Sequence, residues 1–413
     1  MDRQTTRGHH NSEKEFYFLL PACYQYSPES DTDTYFLDSQ EEIMIKSKDV
    51  HFLYKSVYHQ VCHSRLSGIL FHTERFRTSR NDKKKNLILF FLIVAFCILL
   101  FSLNASANEN IKVLILNDAY TKIPLKNERI EKLGSMKGDL LVMGSHYTGN
   151  IDIWKGDRGL YIINELPLED YIKDVVAVEV GQEWEMEALK AQAVISRTYA
   201  IYQKRMNGDL IYHIASSVIH QVYKGNKPNV RIAYAVNETG GEVLTFNGIL
   251  IEAFYHSTCG GKTEFSEEVF GKSYPYLKSQ ESTCEISPYW TWEKRFRFAE
   301  IEKALNISGI KGISIKSYTS SKRIKQLNIA TDSGTTAINA TDLRKALGWS
   351  ALPSTNFKIS ANGDSVLFEG KGYGHGVGLC QWCALNMARE GKNYKEILSF
   401  FYPGTIIQLY ENH

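Results

Sequence analysis

Apolar and polar positions change their period several times along this chain of 413 residues. The sharpest feature is Leu87–Leu103, LILFFLIVAFCILLFSL, an uncharged apolar run of 17 residues. That is close to the roughly 20 residues needed to cross a bilayer. Lys83-Lys84-Lys85 stands directly before it and Ala105-Ser106-Ala107 directly after it, the flanks of a signal or anchor segment. The basic side predicts a cytoplasmic face, which sends everything beyond about residue 108 outward. A buried core helix is the competing reading of the run. Strand-like stretches follow at Ile111–Leu116, Leu140–Met143 and Leu160–Ile163, punctuated by Gly134, Gly138, Gly149, Asp157 and Gly159. After Pro167 the period lengthens. Ile172, Val175 and Val176 form an i, i+3, i+4 stripe in a predicted helix, with Glu169 and Asp170 at its positive end. A second helix is predicted over about 186–206, with apolar residues on most of its faces and hence buried on most sides. Strands are predicted again at Gly241–Phe246 and Leu250–Tyr255, a helix-plus-strand segment at 299–347, a helix at Ala384–Glu390 and a strand at Ile406–Tyr410. Helices and strands segregate, so the expected class is α+β: a mixed, β-rich body with a few buried helices behind one transmembrane or signal segment.

Composition narrows the function classes. Hydrophobic residues make up 43% and charged residues 23%, the balance of a chain that buries a core. The formal charge of +2 argues against a basic nucleic-acid binder. That total hides an uneven start: residues 1–49 carry 5 basic and 10 acidic side chains, and residues 50–86 carry 8 and 2. The basic part suits the inner face of an anionic membrane. Residues 1–86 are therefore read either as a cytoplasmic tail or as residues ahead of the true start. Gly261-Lys262-Thr263 and Gly271-Lys272-Ser273 look like phosphate-loop endings, but His256 and Ser266 stand where the required glycine would be. No nucleotide or organic cofactor is expected.

Three segments remain for chemistry. Glu179 lies among Val175, Val176, Ala177, Val178 and Val180. An apolar setting raises a carboxyl pKa, which is what a general acid near neutral pH needs. The bland alternative is a solvated glutamate at a helix end, and Glu183, Glu185 and Glu187 read as surface residues. The second segment is Ile251–Gly261, IEAFYHSTCGG, and the third is Gly370–Ala384, GKGYGHGVGLCQWCA, with His375 in its middle as an acid, a base or a structural donor. Cys259, Cys284, Cys380 and Cys383 lie in or near these two segments. A Cys₃His zinc site from His256, Cys259, Cys284 and one of Cys380 or Cys383 is chemically sensible, as are disulfides or free thiols in an exported protein.

Taken together, LPLEDYIKDVVAVEV, EALKAQAVISRTYA, HQVYKG, GGEVLTFNGILIEAFYHSTCGG, GYGHGVGLCQW and YKEILSFFYPGT resemble, in order, the SpoIID/LytB family of exported cell-wall proteins. The resemblance covers about 150–413 well and 108–150 loosely. It implies a lytic transglycosylase acting on peptidoglycan glycan strands stripped of their peptides, with Glu179 at the family's catalytic position. In a subset of the family it also implies a structural zinc through Cys259, Cys284 and Cys380, to which the residue chemistry adds His256 as fourth ligand; Gln221, Tyr223 and Gln381, with His375, are the expected substrate contacts. For those polar residues, satisfying loop backbone is the alternative. Some family members are instead described as activators of a cell-wall amidase. Departures are Cys383 where glycine is usual, Lys371 where arginine is common, Val180-Gly181 in place of Met-Pro, and His213 and His220 before Gln221. The expected layout is residues 1–86, an anchor or signal segment at 87–107 with membrane contact through 87–103, and a catalytic domain at 108–413. That domain divides into a lead-in at 108–165, a core at 166–298, an insertion at 299–350 and a closing cleft segment at 351–413.

Overall fold

The computed structural model describes residues 109–117, 128–142, 144–157, 159–217, 220–225 and 228–411, and two paired dipeptides, Phe18–Leu19 and Glu42–Ile43. The apolar segment at 87–103 lies outside the described residues. Among those described, no helix is long and apolar enough to cross a membrane.

Strands β1 (Asn110–Asn117), β2 (Ile130–Lys137), β3 (Leu140–Val142), β4 (Ser145–Tyr147), β5 (Asn150–Gly156) and β6 (Gly159–Pro167) open the body. β3 and β4 pair with each other; the rest join a five-stranded sheet in the order β2-β5-β6-β1-β7, where β7 is Ile214–Ala215. β6 holds a central place, so Tyr161, Ile162, Ile163 and Asn164 are all buried in succession instead of alternating. It passes into helix α1 (Leu168–Glu179) without a loop. Pro167 ends the strand and caps the helix, and the first helical N–H, on Leu168, is satisfied by the Glu109 carbonyl at 2.7 Å. The predicted stripe Ile172, Val175 and Val176 is fully buried.

Helix α2 (Met186–Met206) is the hub of the body. Leu189, Ala193 and Ala200 pack into the core shared with the sheet, α1 and α3 (Val230–Glu238). Ala191, Val194 and Ile195 face a second core, which contains the cysteines and the C-terminal helices. A helix between two cores has no polar face to spare, and even Arg197 is fully buried, in a two-pronged pair with Glu169 at 2.7 Å on each arm.

The second half brings sequence-distant pieces together. Strand β8 (Glu242–Phe246) pairs with the short β9 (Ile249–Leu250) on one side. The predicted strand over Leu250–Tyr255 is broken. Only Ile249–Leu250 and β10 (Tyr255–His256) are strand, because the chain turns where the Phe254 N–H donates to the Glu252 carbonyl at 3.0 Å. After the short helix α4 (Ser266–Phe270) comes an inserted lobe with its own apolar core: β11 (Trp292–Arg297), α5 (Phe298–Leu305), β12 (Ile310–Tyr318), β13 (Ile324–Thr331), β14 (Gly334–Asn339), α6 (Ala340–Leu347), β15 (Phe357–Asn362) and β16 (Ser365–Gly370). This core draws on residues outside 299–350, since Phe357, Val366 and Phe368 belong to it. The chain then returns through β17 (Leu379–Cys380), α7 (Gln381–Arg389), α8 (Tyr394–Phe401) and β18 (Ile406–Leu409), the last antiparallel to β8.

The pairing that builds the site is β10 against β17, parallel, with Tyr255 opposite Leu379 and His256 opposite Cys380. It requires Gly378, whose φ is +72° and where a Cβ would lie 2.0 Å from the Phe254 carbonyl oxygen.

Candidate functional site

Glu179 is the last residue of α1, and the chain becomes extended at Val180. Its side chain is only partly exposed. Burial is the main cause that raises its pKa from 4.5 to about 6, opposed by the Val222 N–H, which donates to Oε1 at 2.8 Å, and by the Gln381 and Tyr255 side chains. The negative end of the α1 dipole also disfavours a carboxylate here. The result is a carboxyl poised between acid and base near neutral pH, held by a backbone donor from the HQVYKG segment. Glu183 is exposed, whereas Glu185 pairs with Arg389 and Glu187 accepts from the Tyr394 N–H.

Three of the polar residues around it, Gln221, Tyr223 and Gln381, are buried. Gln221 is fully buried, accepting from the Tyr171 hydroxyl at 2.9 Å and donating to the Ser196 carbonyl at 3.1 Å. Tyr223 is buried with its hydroxyl donating to Asn164 Oδ1 at 2.6 Å. Both hold the floor of the site and position Val222 between them. Gln381 is buried beside Glu179 and reaches Gln192 at 3.3 Å. His375 lies against Phe254 and Phe270, and its Nδ1 accepts from the Val377 N–H at 3.0 Å, which leaves Nε2 as the protonated nitrogen. Burial pushes its pKa down to about 3, so it is a neutral donor and not an acid.

Three residues that the sequence reading passed over also belong here. The Tyr255 hydroxyl is buried near Glu179 and Gln221. Trp184 and Trp382 meet edge to face with ring centres 5.0 Å apart, in the segments that carry Glu179 and Gln381. Trp184 fills the space that Gly181 leaves, where a Cβ would lie 2.3 Å from its Nε1. The available signal was an aromatic residue next to each polar motif.

The second centre is the cysteine group. Cys259, Cys284, Cys380 and Cys383 are all buried, and their sulfurs lie within 4.8 Å of one another. Cys259 Sγ is 3.5 Å from that of Cys284 and 3.4 Å from that of Cys383. Four thiolates about 2.3 Å from a tetrahedral ion would sit ~3.8 Å apart, so this set fits zinc. The Cys259 N–H donates to Cys380 Sγ at 3.2 Å and the Gly261 N–H to Cys259 Sγ at 3.4 Å, contacts that favour thiolate. These residues form a group capable of holding a metal ion, and its composition corrects the expected one. His256 is not a member; it turns its Nδ1 to the Val377 carbonyl at 3.1 Å, and Cys383 supplies the fourth sulfur. The two centres adjoin, because β10 carries Tyr255 beside Glu179 and β17 carries Cys380 directly before Gln381.

Comparison with known proteins agrees with this architecture. A family described as Stage II sporulation protein matches residues 156–246, which span α1, α2 and Glu179. Stage II sporulation protein D of Bacillus subtilis is 33% identical over 262 residues, covering 59% of this chain and 75% of that protein. The chain belongs to the SpoIID family. An uncharacterized protein of Brachyspira hyodysenteriae is 36% identical over 272 residues, covering 64% of this chain and 73% of that one. An amidase enhancer of Bacillus subtilis is 29% identical over 290 residues, covering 58% of this chain and 40% of that protein. A second family, described as Domain of unknown function (DUF8618), matches residues 276–378 and thus takes in the inserted lobe.

Proposed function

We propose that this SpoIID-family protein acts on the bacterial cell wall as a lytic transglycosylase, with Glu179 as its single acid and base. The observation that carries this reading is the partly buried carboxyl at the end of α1, with a pKa of about 6 and a fixed backbone donor. In the acid form Glu179 gives its proton to the glycosidic oxygen between N-acetylmuramic acid and N-acetylglucosamine. As a carboxylate it then takes the proton of the muramic acid 6-hydroxyl, whose oxygen attacks C1. The C1–O bond to the leaving sugar breaks, a 1,6-anhydro ring closes, and no water is consumed. Because the substrate supplies the nucleophile, the second carboxylate usual in glycosidases is not needed. Peptide-free strands, an exported location and membrane attachment through 87–103 belong to the same proposal. Zinc at the four cysteines would fold and stiffen the loops behind the site, a structural role suited to a closed four-sulfur set.

A second reading is that the protein activates or recruits a cell-wall amidase without cutting glycan. The likeness to an amidase enhancer favours it, and the names of the relatives speak for this role more directly than for transglycosylation. One experiment separates the two. Purified protein is incubated with peptide-stripped strands, and separately with a cell-wall amidase on intact wall. Anhydro-muramic ends that appear with the wild type and vanish in Glu179→Gln support the first reading. No anhydro ends, together with amidase stimulation that Glu179→Gln retains, would replace it with the second.

A further inference from the structure

Among the contacts between the inserted lobe and the body is a tight turn, residues 319–323, between β12 and β13. Lys322 has a left-handed φ of +74°, and the turn closes with the Lys322 N–H on the Thr319 carbonyl. Thr319 and Ser321 donate their hydroxyls to the buried carboxylate of Glu264, and Thr319 Oγ1 in turn accepts from the Arg323 N–H. Arg323 completes the plug. Its guanidinium is fully buried and donates through Nη2 to the Cys259 carbonyl at 2.6 Å and to the Lys262 carbonyl at 3.4 Å. It lies flat against Gly376, where a Cβ would stand 2.7 Å from Cζ.

Two features of this arginine call for an explanation. Among the described residues its Nε and Nη1 have no hydrogen-bond partner, and its guanidinium is buried. Buried charges persist where opposite charge faces them. The Glu264 carboxylate is one source, but it spends hydrogen bonds on Thr319, Ser321 and the Phe265 N–H. The other source is the cysteine centre, since Nη2 grips the carbonyl of Cys259 itself at 2.6 Å. Four neutral thiols supply no charge. Four thiolates around a divalent ion supply a net charge of minus two.

We propose that Arg323 is the outer partner of the cysteine metal centre, and that it couples metal loading to docking of the inserted lobe. The charge on the loaded centre stabilises the buried guanidinium, which holds the 319–323 turn in place. By linkage, a docked Arg323 strengthens metal binding by the same factor. The lobe is thus a reporter of the centre. This inference rests on the cysteine group holding a metal and not on what Glu179 does, so loss of either leaves the other standing.

The test uses the full chain loaded with zinc. Zinc affinity is measured by competition with a chromophoric chelator, and amide exchange is followed over 310–339. Removing an outer partner weakens a metal site by about 10–100-fold. Arg323→Met should lose zinc affinity in that range, and Arg323→Lys, which keeps the charge, should recover part of it. Stripping zinc from the wild type should speed exchange in β12 and β13 next to the turn, and zinc re-addition should reverse this. That measurement stands even if Arg323→Met does not fold. Unchanged zinc affinity in Arg323→Met, or unchanged exchange in β12 and β13 when zinc leaves the wild type, would overturn the coupling. A wild-type protein that binds no zinc would overturn it as well, while leaving the Glu179 reading untouched.

Discussion

Replacing Glu179 by glutamine should make the protein more stable while abolishing its proposed activity. Burial holds the carboxyl at about 6, against 4.5 in the unfolded chain. Below pH 4.5 the group is protonated in both states and costs the fold nothing. As the pH rises through the window from 4.5 to about 6, the unfolded chain ionises first, and the folded chain loses stability. Above that window the carboxylate is present in both states, and the folded one carries the full penalty. Moving the carboxyl from 4.5 to about 6 corresponds to about 2 kcal/mol. Glutamine keeps the shape and can still accept from the Val222 N–H, but it never ionises. Urea unfolding of Glu179→Gln should therefore exceed the wild type by up to about 2 kcal/mol at pH 7.5 and equal it near pH 4. The same shift sets the working range. At pH 7 about 9% of a group with a pKa of 6 is protonated, against about 0.3% at 4.5, a gain of roughly 30-fold in the acid form. Glycan cleavage should drop by at least about 10²-fold in Glu179→Gln, since acid–base catalysis contributes about 10²–10⁴. Equal or lower stability of the variant at pH 7.5 would refute the buried, strained state of Glu179 from which the argument proceeds.

The cysteine centre makes a prediction of composition: Cys383→Ser should strip zinc from the purified protein, whereas His256→Ala should retain about one equivalent, as metal analysis after gel filtration would show. Glu169→Gln should destabilise the protein by about 3–5 kcal/mol in urea, because it leaves the fully buried Arg197 without its carboxylate. Gly378→Ala combines a left-handed φ with a Cβ only 2.0 Å from the Phe254 carbonyl oxygen, so it should separate β10 from β17. Its thermal midpoint should fall by 10 °C or more, on the scale of about 4–8 °C or less per kcal/mol, if it folds at all.

Local chemistry made much of the body legible before any coordinates. Pro167, the acidic first turn and the Ile172–Val176 stripe mark the start of α1 at Leu168, and the apolar faces of α2 announce a helix buried on most sides. Glu179 stands out because a carboxylate set among valines and alanine at a helix end is unusual chemistry in a short window. The helix Val230–Glu238 and the strands Ile130–Lys137, Asn150–Gly156, Phe357–Asn362 and Ser365–Gly370 escaped notice, since mixed polar stretches such as IEKLGSMK carry no clear period and become strands only through their neighbours.

The amino-acid sequence by itself therefore determined α1 and α2, the family likeness and the residue types available for catalysis and metal binding. It could not decide who meets whom. His256 is three positions before Cys259, yet it turns to the Val377 carbonyl while Cys383, far along the chain, joins the sulfurs. Gln221 and Tyr223 looked like sugar contacts, yet they are buried braces for Val222. The first outcome follows from one long-range event, the parallel pairing of Tyr255–His256 with Leu379–Cys380, and the second from the packing of Gln221 on Tyr171 and Ser196 and of Tyr223 on Asn164. Spacing along a chain limits how near two groups can come, but the pairing of distant strands, made possible by a glycine with room for no side chain, settles which side chains face each other.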